Sequence, residues 1–256
     1  MAVVAIGNEL LSGKVRDENL HWLSGQLRQL GVRMSVALVV PDEAQAIADA
    51  LHYARARAEL VLTCGGVGPT HDDVTLPALA LALGRPLERH AGLAALIEEH
   101  YGPRFDPQLL RMADLPRGTE LLHPAPFVVP IFRLENVYAF PGVPEALRYL
   151  FAAWKEALRQ APFHLARLEL DADEGQVAPL LRDVQAQQAG AAEIGSYPRF
   201  DAGAPYRVLV TIEGKDRAAV TAAAEAVAAG VASRLGPEAI LRREGPSPPE
   251  PQSFVA

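Results

Sequence analysis

Apolar residues fall in two rhythms along this chain. Short apolar runs at residues 3–6, 36–40 and, within an expected strand over 59–64, at 60–62 alternate with longer stretches in which leucine and alanine recur every third or fourth position. Leu20, Leu23, Leu27 and Leu30 share one helical face, and Gly31 follows as a stop signal. Ile47, Leu51, Ala54 and Ala58 form a second such stripe behind Pro41-Asp42, which places Asp42 as a helix N-cap. Strands separated by helices of this length predict parallel pairing through crossovers. Their unbroken apolar character predicts a sheet covered on both faces. Residues 84–120 read as mostly helical, interrupted at Gly102-Pro103 and Asp106-Pro107. Residues 127–132 and 136–140 read as strands, Pro141-Gly142-Val143-Pro144 as a sharp turn, and 145–159 as a helix.

After Ala161-Pro162 the rhythm changes. Residues 164–170, 192–197 and 206–213 read as strands, the last alternating through Val208, Val210 and Ile212. Residues 177–188 and 216–235 read as helices, the second with Val220, Ala223, Val227 and Val231 on one face. The proline-rich ending from Gly245 to Pro251 reads as a disordered tail. The expected division is an α/β domain over residues 1–160, a small α+β domain over 162–245 and a tail over 246–256.

Composition narrows the function classes. A net charge of −7 over 256 residues argues against a general nucleic-acid or anionic-membrane surface. A single cysteine, Cys64, forbids an internal disulfide. The first residues carry no charged leader, and no apolar run reads as long enough for a membrane helix. A cytoplasmic protein with no membrane and no nucleic-acid partner is therefore expected.

The densest chemistry lies at residues 63–75. Here Thr63-Cys64-Gly65-Gly66-Val67-Gly68-Pro69-Thr70-His71-Asp72-Asp73-Val74-Thr75 joins an apolar strand to a helix. Glycines let backbone N–H groups approach a ligand, and a helix start favours an anion. Two adjacent aspartates would repel a bare phosphate. They suit a divalent cation, a sugar or pterin donor, or the activation of water. The alternative is structural, with Asp72, Asp73 or Thr75 capping the next helix. His71 is either a phosphate contact or a solvated loop histidine. No Walker-type Gly-Lys-Ser/Thr and no Gly-x-Ser-x-Gly elbow occurs.

This loop resembles the signature of the molybdopterin-binding fold shared by molybdenum-cofactor biosynthesis proteins and the competence/damage-inducible protein A (CinA) family. Two further stretches favour the CinA branch: Gly7-Asn8-Glu9-Leu10-Leu11-Ser12-Gly13, with Asn19 beyond it, and Ala139-Phe140-Pro141-Gly142-Val143-Pro144-Glu145. Residues 162–245 resemble, more distantly, the family's KH-like α+β domain, with Ile194-Gly195-Ser196-Tyr197-Pro198 as landmark. The resemblance implies a three-layer α/β/α molybdopterin-binding fold with a mostly parallel sheet, whose site lies at the carboxyl ends of the strands, as the switch-point rule also expects.

The resemblance also implies a small-molecule nucleotide or pterin ligand, a homodimer, and a pyrophosphatase acting on ADP-ribose or a related dinucleotide with Mg²⁺, Mn²⁺ or Co²⁺. The alternative is a pterin- or nucleotide-binding protein linked to molybdenum cofactor biosynthesis that performs no turnover. Carried over, Asp73 and Asp42 match the functional aspartates. Gly65, Gly66, Gly68, Thr70, Asn8, Pro141 and Gly142 would line the phosphate and ligand site, and Asp72, Asp73 and Glu9 would hold the metal.

There are departures from the pattern. Cys64 stands where the family often has threonine or serine, and reads as a small buried strand-end residue. Residues 123–131 contain no glycine, where the family's ligand contacts are rich in it. No stretch matches the family's deamidase domain. Between 162 and 245, nine basic and twelve acidic residues leave a net charge of −3, and no Gly-x-x-Gly clamp occurs. That segment is therefore expected to serve packing or dimerisation rather than RNA binding.

Overall fold

A computed structural model describes residues 1–122, 129–188, 190–201 and 203–248. The chain divides into two compact units. The first holds Met1–Leu27 and Val32–Arg159, the second Arg28–Gly31 and the residues from Gln160 onward.

In the first unit the elements run β1 (Ala2–Ile6), α1 (Asn8–Leu11), α2 (Asn19–Gln29), β2 (Val36–Val40), α3 (Ala44–Arg55), β3 (Val61–Cys64), α4 (Thr75–Leu83), β4 (Leu87–Arg89), α5 (Ala91–Tyr101), β5 (Asp114–Pro116), β6 (Glu120–Leu122), β7 (Ile131–Leu134), β8 (Val137–Phe140) and α6 (Pro144–Trp154). The main sheet has the order β2-β1-β3-β8-β7-β6. Its first four strands are parallel, and β7 and β6 add antiparallel. This is the three-layer α/β arrangement with a mostly parallel sheet.

Side chains alternate across the sheet as strand geometry requires. Ala2, Val4 and Ile6 of β1 and Val137 of β8 pack with Ile47, Leu51 and Ala54 of α3 and Leu79 of α4. The next residues of β8, Tyr138 and Phe140, face the other way. They meet an aromatic cluster in which Trp154 stacks at 4.5 Å from Tyr138 and Trp22 meets Phe151 edge-on at 5.4 Å. β1 and β3 are buried throughout, whereas β2 at the sheet edge alternates between half-buried and exposed.

The connectivity makes a switch point. β1 leads outward to its neighbour β2, while β3 leads the opposite way to β8. The loops leaving the carboxyl ends of β1 and β3 therefore part and open a crevice between them.

In the second unit, β9 (His164–Leu170), α7 (Glu174–Gln187), β10 (Glu193–Pro198), β11 (Val208–Gly214), α8 (Arg217–Leu235) and β12 (Ile240–Ser247) form a small α+β body. Its antiparallel sheet has the order β10-β11-β9-β12. Leu168 and Leu170 of β9 and Val210 and Ile212 of β11 share a core with Val177 and Leu181 of α7 and Val220 and Val227 of α8. Asp173 and Gln176 cap α7 reciprocally, and Asp216 caps α8 through the amides of Ala218 and Ala219.

Several expectations are corrected. Asp42 is not the N-cap of α3. Glu43 holds that position without a side-chain bond, and the Asp42 carboxylate turns back to the Asn8 amide. The Gly7-Asn8 step after β1 opens the one-turn helix α1, with Gly7 as its N-cap. The supposedly helical stretch 84–120 contains β4 paired antiparallel with β5. The helix expected over 145–159 ends at Trp154 and continues as a 3-10 turn through Leu158.

The tail begins later than expected. β12 runs through Gly245 and Pro246 to Ser247, at the edge of its sheet and across a register shift where an unpaired proline is tolerated. Residues 249–256 lie outside the described residues, as do Phe127 and Val128 of the strand expected over 127–132 and the first six positions of the glycine-free stretch 123–131. Finally, α8 is long and apolar enough by length and composition to cross a membrane. Its apolar stripe lies in the core of the second unit.

The fold yields a direct test. Leu51 is fully buried between α3 and the sheet. Leu51→Ala should destabilise the first unit by about 2–5 kcal/mol. Trp22 and Trp154 both lie in that unit, so urea denaturation followed by tryptophan fluorescence reads the shift without interference from the second unit.

Candidate functional site

All four parallel strands end at one cleft of about 570 Å³. Ile6 ends β1, Asp42 follows β2, Cys64-Gly65-Gly66 closes β3, and Pro141-Gly142 follows β8; each of these residues lines the cavity. Its volume suits a small molecule.

The floor is main chain against main chain. Gly65 has φ +109°, and a Cβ there would stand 2.2 Å from the Ile6 carbonyl oxygen. A Cβ on Gly142 would meet the Gly65 Cα at 3.1 Å. The Gly65 amide donates to the Phe140 carbonyl at 3.1 Å, tying the β3 loop to the β8 loop. From below, the buried Thr75 hydroxyl donates to the Gly65 carbonyl at 2.8 Å, and its amide donates to Gly66 O at 2.9 Å. Thr75 thereby binds the loop to the first turn of α4.

This geometry sorts the expected phosphate donors. The Gly65 amide is already spent on Phe140, so it is not a phosphate donor. Among the described residues the amides of Gly66, Val67 and Gly68 meet no acceptor. Thr70 is committed as well: its amide donates to Asp73 Oδ2 at 2.7 Å, and its hydroxyl donates to the same oxygen. The Asp73 carboxylate folds back over Gly68, where a Cβ would lie 2.7 Å from Oδ2. Neither aspartate caps α4, whose N-cap is Val74 with no side-chain bond. Asp73 instead braces the turn that carries Asp72.

The remaining expected residues gather at the same rim. Asp42 accepts from the Asn8 amide at 2.7 Å, joining the β2 and β1 loops. Glu9 lines the cleft, with its carboxylate curled against Gly7. Asp72 lines it with an exposed side chain whose nearest ion partner is His71 at 3.9 Å. The Thr70 hydroxyl and the residue's own backbone hold the Asp72 carboxyl below the usual carboxylate range. One hydroxyl hydrogen serves one carboxylate at a time, and the hydrogen bond formed here is the one to Asp73. His71 itself is 95% exposed and is not part of the cleft wall.

Sequence reasoning missed much of the wall. Asp17 lines the cleft and its Oδ1 caps α2 by accepting from the amides of Asn19 and Leu20. Glu18 lines it too, paired with Arg148 at 3.1 Å. Asn19 donates from Nδ2 to the Gly142 carbonyl at 2.6 Å and so ties α2 to the β8 loop. Leu10, Val15, Tyr101, Met112, Val129 and Val143 supply an apolar wall. Leu10 and Val143, inside the quoted motifs, and Asn19, just beyond the first, were the available sequence signals among these.

Residues 2–160 match the family described as a probable molybdopterin binding domain, and residues 162–237 match the middle domain of FAD synthase. The chain is 34% identical to a CinA-like protein of Frankia casuarinae over 90% of its own length and 59% of the relative's. It is 38% identical to a CinA-like protein of Anaeromyxobacter dehalogenans, of which it covers 39%. The chain thus spans between about two-fifths and three-fifths of these CinA-like relatives. The crystal structure of the protein CinA, of unknown function, from Thermoplasma acidophilum superposes with a TM-score of 0.57 at 29% identity, over 61% of this chain and 96% of that one. The chain belongs to the probable molybdopterin binding domain family and is CinA-like.

Cys64 is the one thiol in this wall. Burial pushes its pKa up to about 12, which leaves it a protonated, inert packing group at neutral pH. Native protein at pH 8 should therefore react with an aromatic disulfide reagent only as fast as it opens, and denatured protein should react at once. Prompt stoichiometric labelling of the native thiol would show that the strand end is open.

Proposed function

We propose that this cleft binds a pyrophosphate-bearing nucleotide together with a divalent cation and hydrolyses it, with ADP-ribose as the first substrate to try. One observation carries the reading. Glu9, Asp17, Glu18, Asp42, Asp72 and Asp73 line the cleft, against the single guanidinium of Arg16. A polyanion entering alone would meet repulsion. A polyanion entering with a cation would not.

The donor set suits a particular kind of ion. Among the described residues no group of three or more histidine, cysteine, aspartate or glutamate side chains is clustered as a cage. Mg²⁺ needs no such cage, because it keeps several waters and takes one or two carboxylates plus substrate phosphates. Asp72 is the ligand best placed, being exposed and uncommitted, with Glu9 beside the same cavity. Such an ion, when bound, offsets phosphate charge and acidifies a bound water.

The other residues position. The amides of Gly66, Val67 and Gly68 and the start of α4 offer donors to the outer phosphate. Asp73 keeps the loop in shape through Thr70, and Asp42 keeps Asn8 in place. The apolar wall of Tyr101, Met112 and Val129 offers a face for a base or pterin ring. In hydrolysis, water oxygen bonds to one phosphorus, the bridging P–O bond breaks, and ADP-ribose becomes AMP and ribose 5-phosphate. The homodimer expected from the family belongs to the same proposal.

A second reading, binding without turnover, draws on the commitment of Asp42 and Asp73 to loop contacts. One experiment separates the two. The protein is incubated with ADP-ribose or FAD and Mg²⁺, Mn²⁺ or Co²⁺, and AMP release and melting temperature are both read. Hydrolysis predicts AMP, and predicts that Asp72→Asn lowers kcat/KM by about 100-fold or more, since a metal's charge stabilisation is worth several kcal/mol. Stabilisation by ligand with no AMP from any metal would establish binding alone.

A further inference from the structure

Among the described residues lining the acidic cleft, Arg16 is the one cation. It sits on the loop between α1 and α2, next to Asp17 and Glu18. The other arginines around this unit are largely spent: Arg148 pairs with Glu18, Arg55 and Arg85 with Glu135, Arg89 with Asp114, and Arg133 with Glu120. Among the described residues the Arg16 guanidinium makes no ion pair and no hydrogen bond, although carboxylates line the same cavity.

Its backbone, by contrast, is fixed on both sides. The Val15 amide donates to the Glu9 carbonyl at 3.2 Å. Asp17 caps α2 through the amides of Asn19 and Leu20, and Asn19 holds the Gly142 carbonyl at 2.6 Å. A pinned backbone carrying an unspent guanidinium at the mouth of a ligand cleft costs side-chain freedom only when a ligand arrives. A guanidinium presents paired N–H donors that match phosphate oxygens in a fixed fork.

We infer that Arg16 is the anion-recognition residue of this cleft, closing on the phosphate of the entering ligand, and that it selects phosphorylated ligands over neutral ones of the same shape. The inference rests on the cleft being the ligand site, as proposed above, but not on turnover. It adds a role that neither aspartates nor glycine amides can fill. The carboxylates need a cation to accept phosphate, whereas Arg16 accepts it directly. Arg16 is exposed and outside the packed core, so its removal leaves the fold intact.

The test is equilibrium binding to the whole chain in Mg²⁺, read by calorimetry, with ADP-ribose as the charged probe and adenosine as the neutral one. Arg16→Ala should weaken ADP-ribose by about 10- to 100-fold, the range for losing a charged hydrogen-bond pair, and leave adenosine unchanged. Arg16→Lys should recover part of the loss, because it restores charge without the fork. Added salt should weaken ADP-ribose binding less in Arg16→Ala than in the native chain. Unchanged ADP-ribose affinity in Arg16→Ala, or an equal loss for both probes, overturns the inference while the cleft reading stands. Failure of the native chain to bind ADP-ribose overturns both. Normal binding with the expected Arg16 effect but no AMP release upholds the inference and removes only the hydrolase reading.

Discussion

The constraint on which the rest depends is the absence of side chains where three strand-end loops meet. Gly65 lies so close to the Ile6 carbonyl that even a methyl group would overlap it, and Gly142 packs on Gly65 from the other side. Main chain can then touch main chain at the carboxyl ends of β1, β3 and β8. The positive φ of Gly65 turns the β3 loop over this contact, and Thr75 locks it from within α4. Move these backbones apart and the residues of four loops no longer share one cavity.

On that floor the electrostatics are one-sided. Hydrogen bonds spend several of the cleft's carboxylates on architecture: Asp17 on α2, Asp42 on Asn8, Asp73 on Thr70, and Glu18 on Arg148. Asp72 is left facing solvent. Arg16 lines the same cavity as the unspent positive charge. The same residues therefore build the site and bias what enters it. On the proposed reading, a phosphate ester accompanied by a divalent ion satisfies both sides, and a bare anion or a neutral molecule satisfies one at most.

Much of this was legible in the sequence, for identifiable reasons. The buried strands β1 and β3 and the stripes of α2 and α3 announce themselves because the core demands apolar residues at fixed spacing. The three motifs were legible because close backbone approach demands glycine. What was hidden lacks such a signature. β12 reads Ile-Leu-Arg-Arg-Glu-Gly-Pro-Ser and pairs through its backbone at a sheet edge, so no apolar alternation marks it. β4 is Leu-Glu-Arg, exposed throughout. Tyr101 and Met112 reach the cleft because the chain after α4 returns over the sheet, which no local pattern reveals. Asp42 looked like a helix cap because aspartate before an apolar stripe usually is one. A carboxylate can accept from any amide in reach, and the one it found belongs to Asn8.

On the proposed reading, this acidic cleft takes an anionic ligand far better in the company of a divalent cation than alone. Calorimetric titration of ADP-ribose into the native chain, once in EDTA and once in Mg²⁺, tests it most directly. Binding should be saturable in Mg²⁺ and weakened at least about tenfold, about 1.4 kcal/mol, when the ion is withdrawn. Equal affinity under both conditions would contradict it.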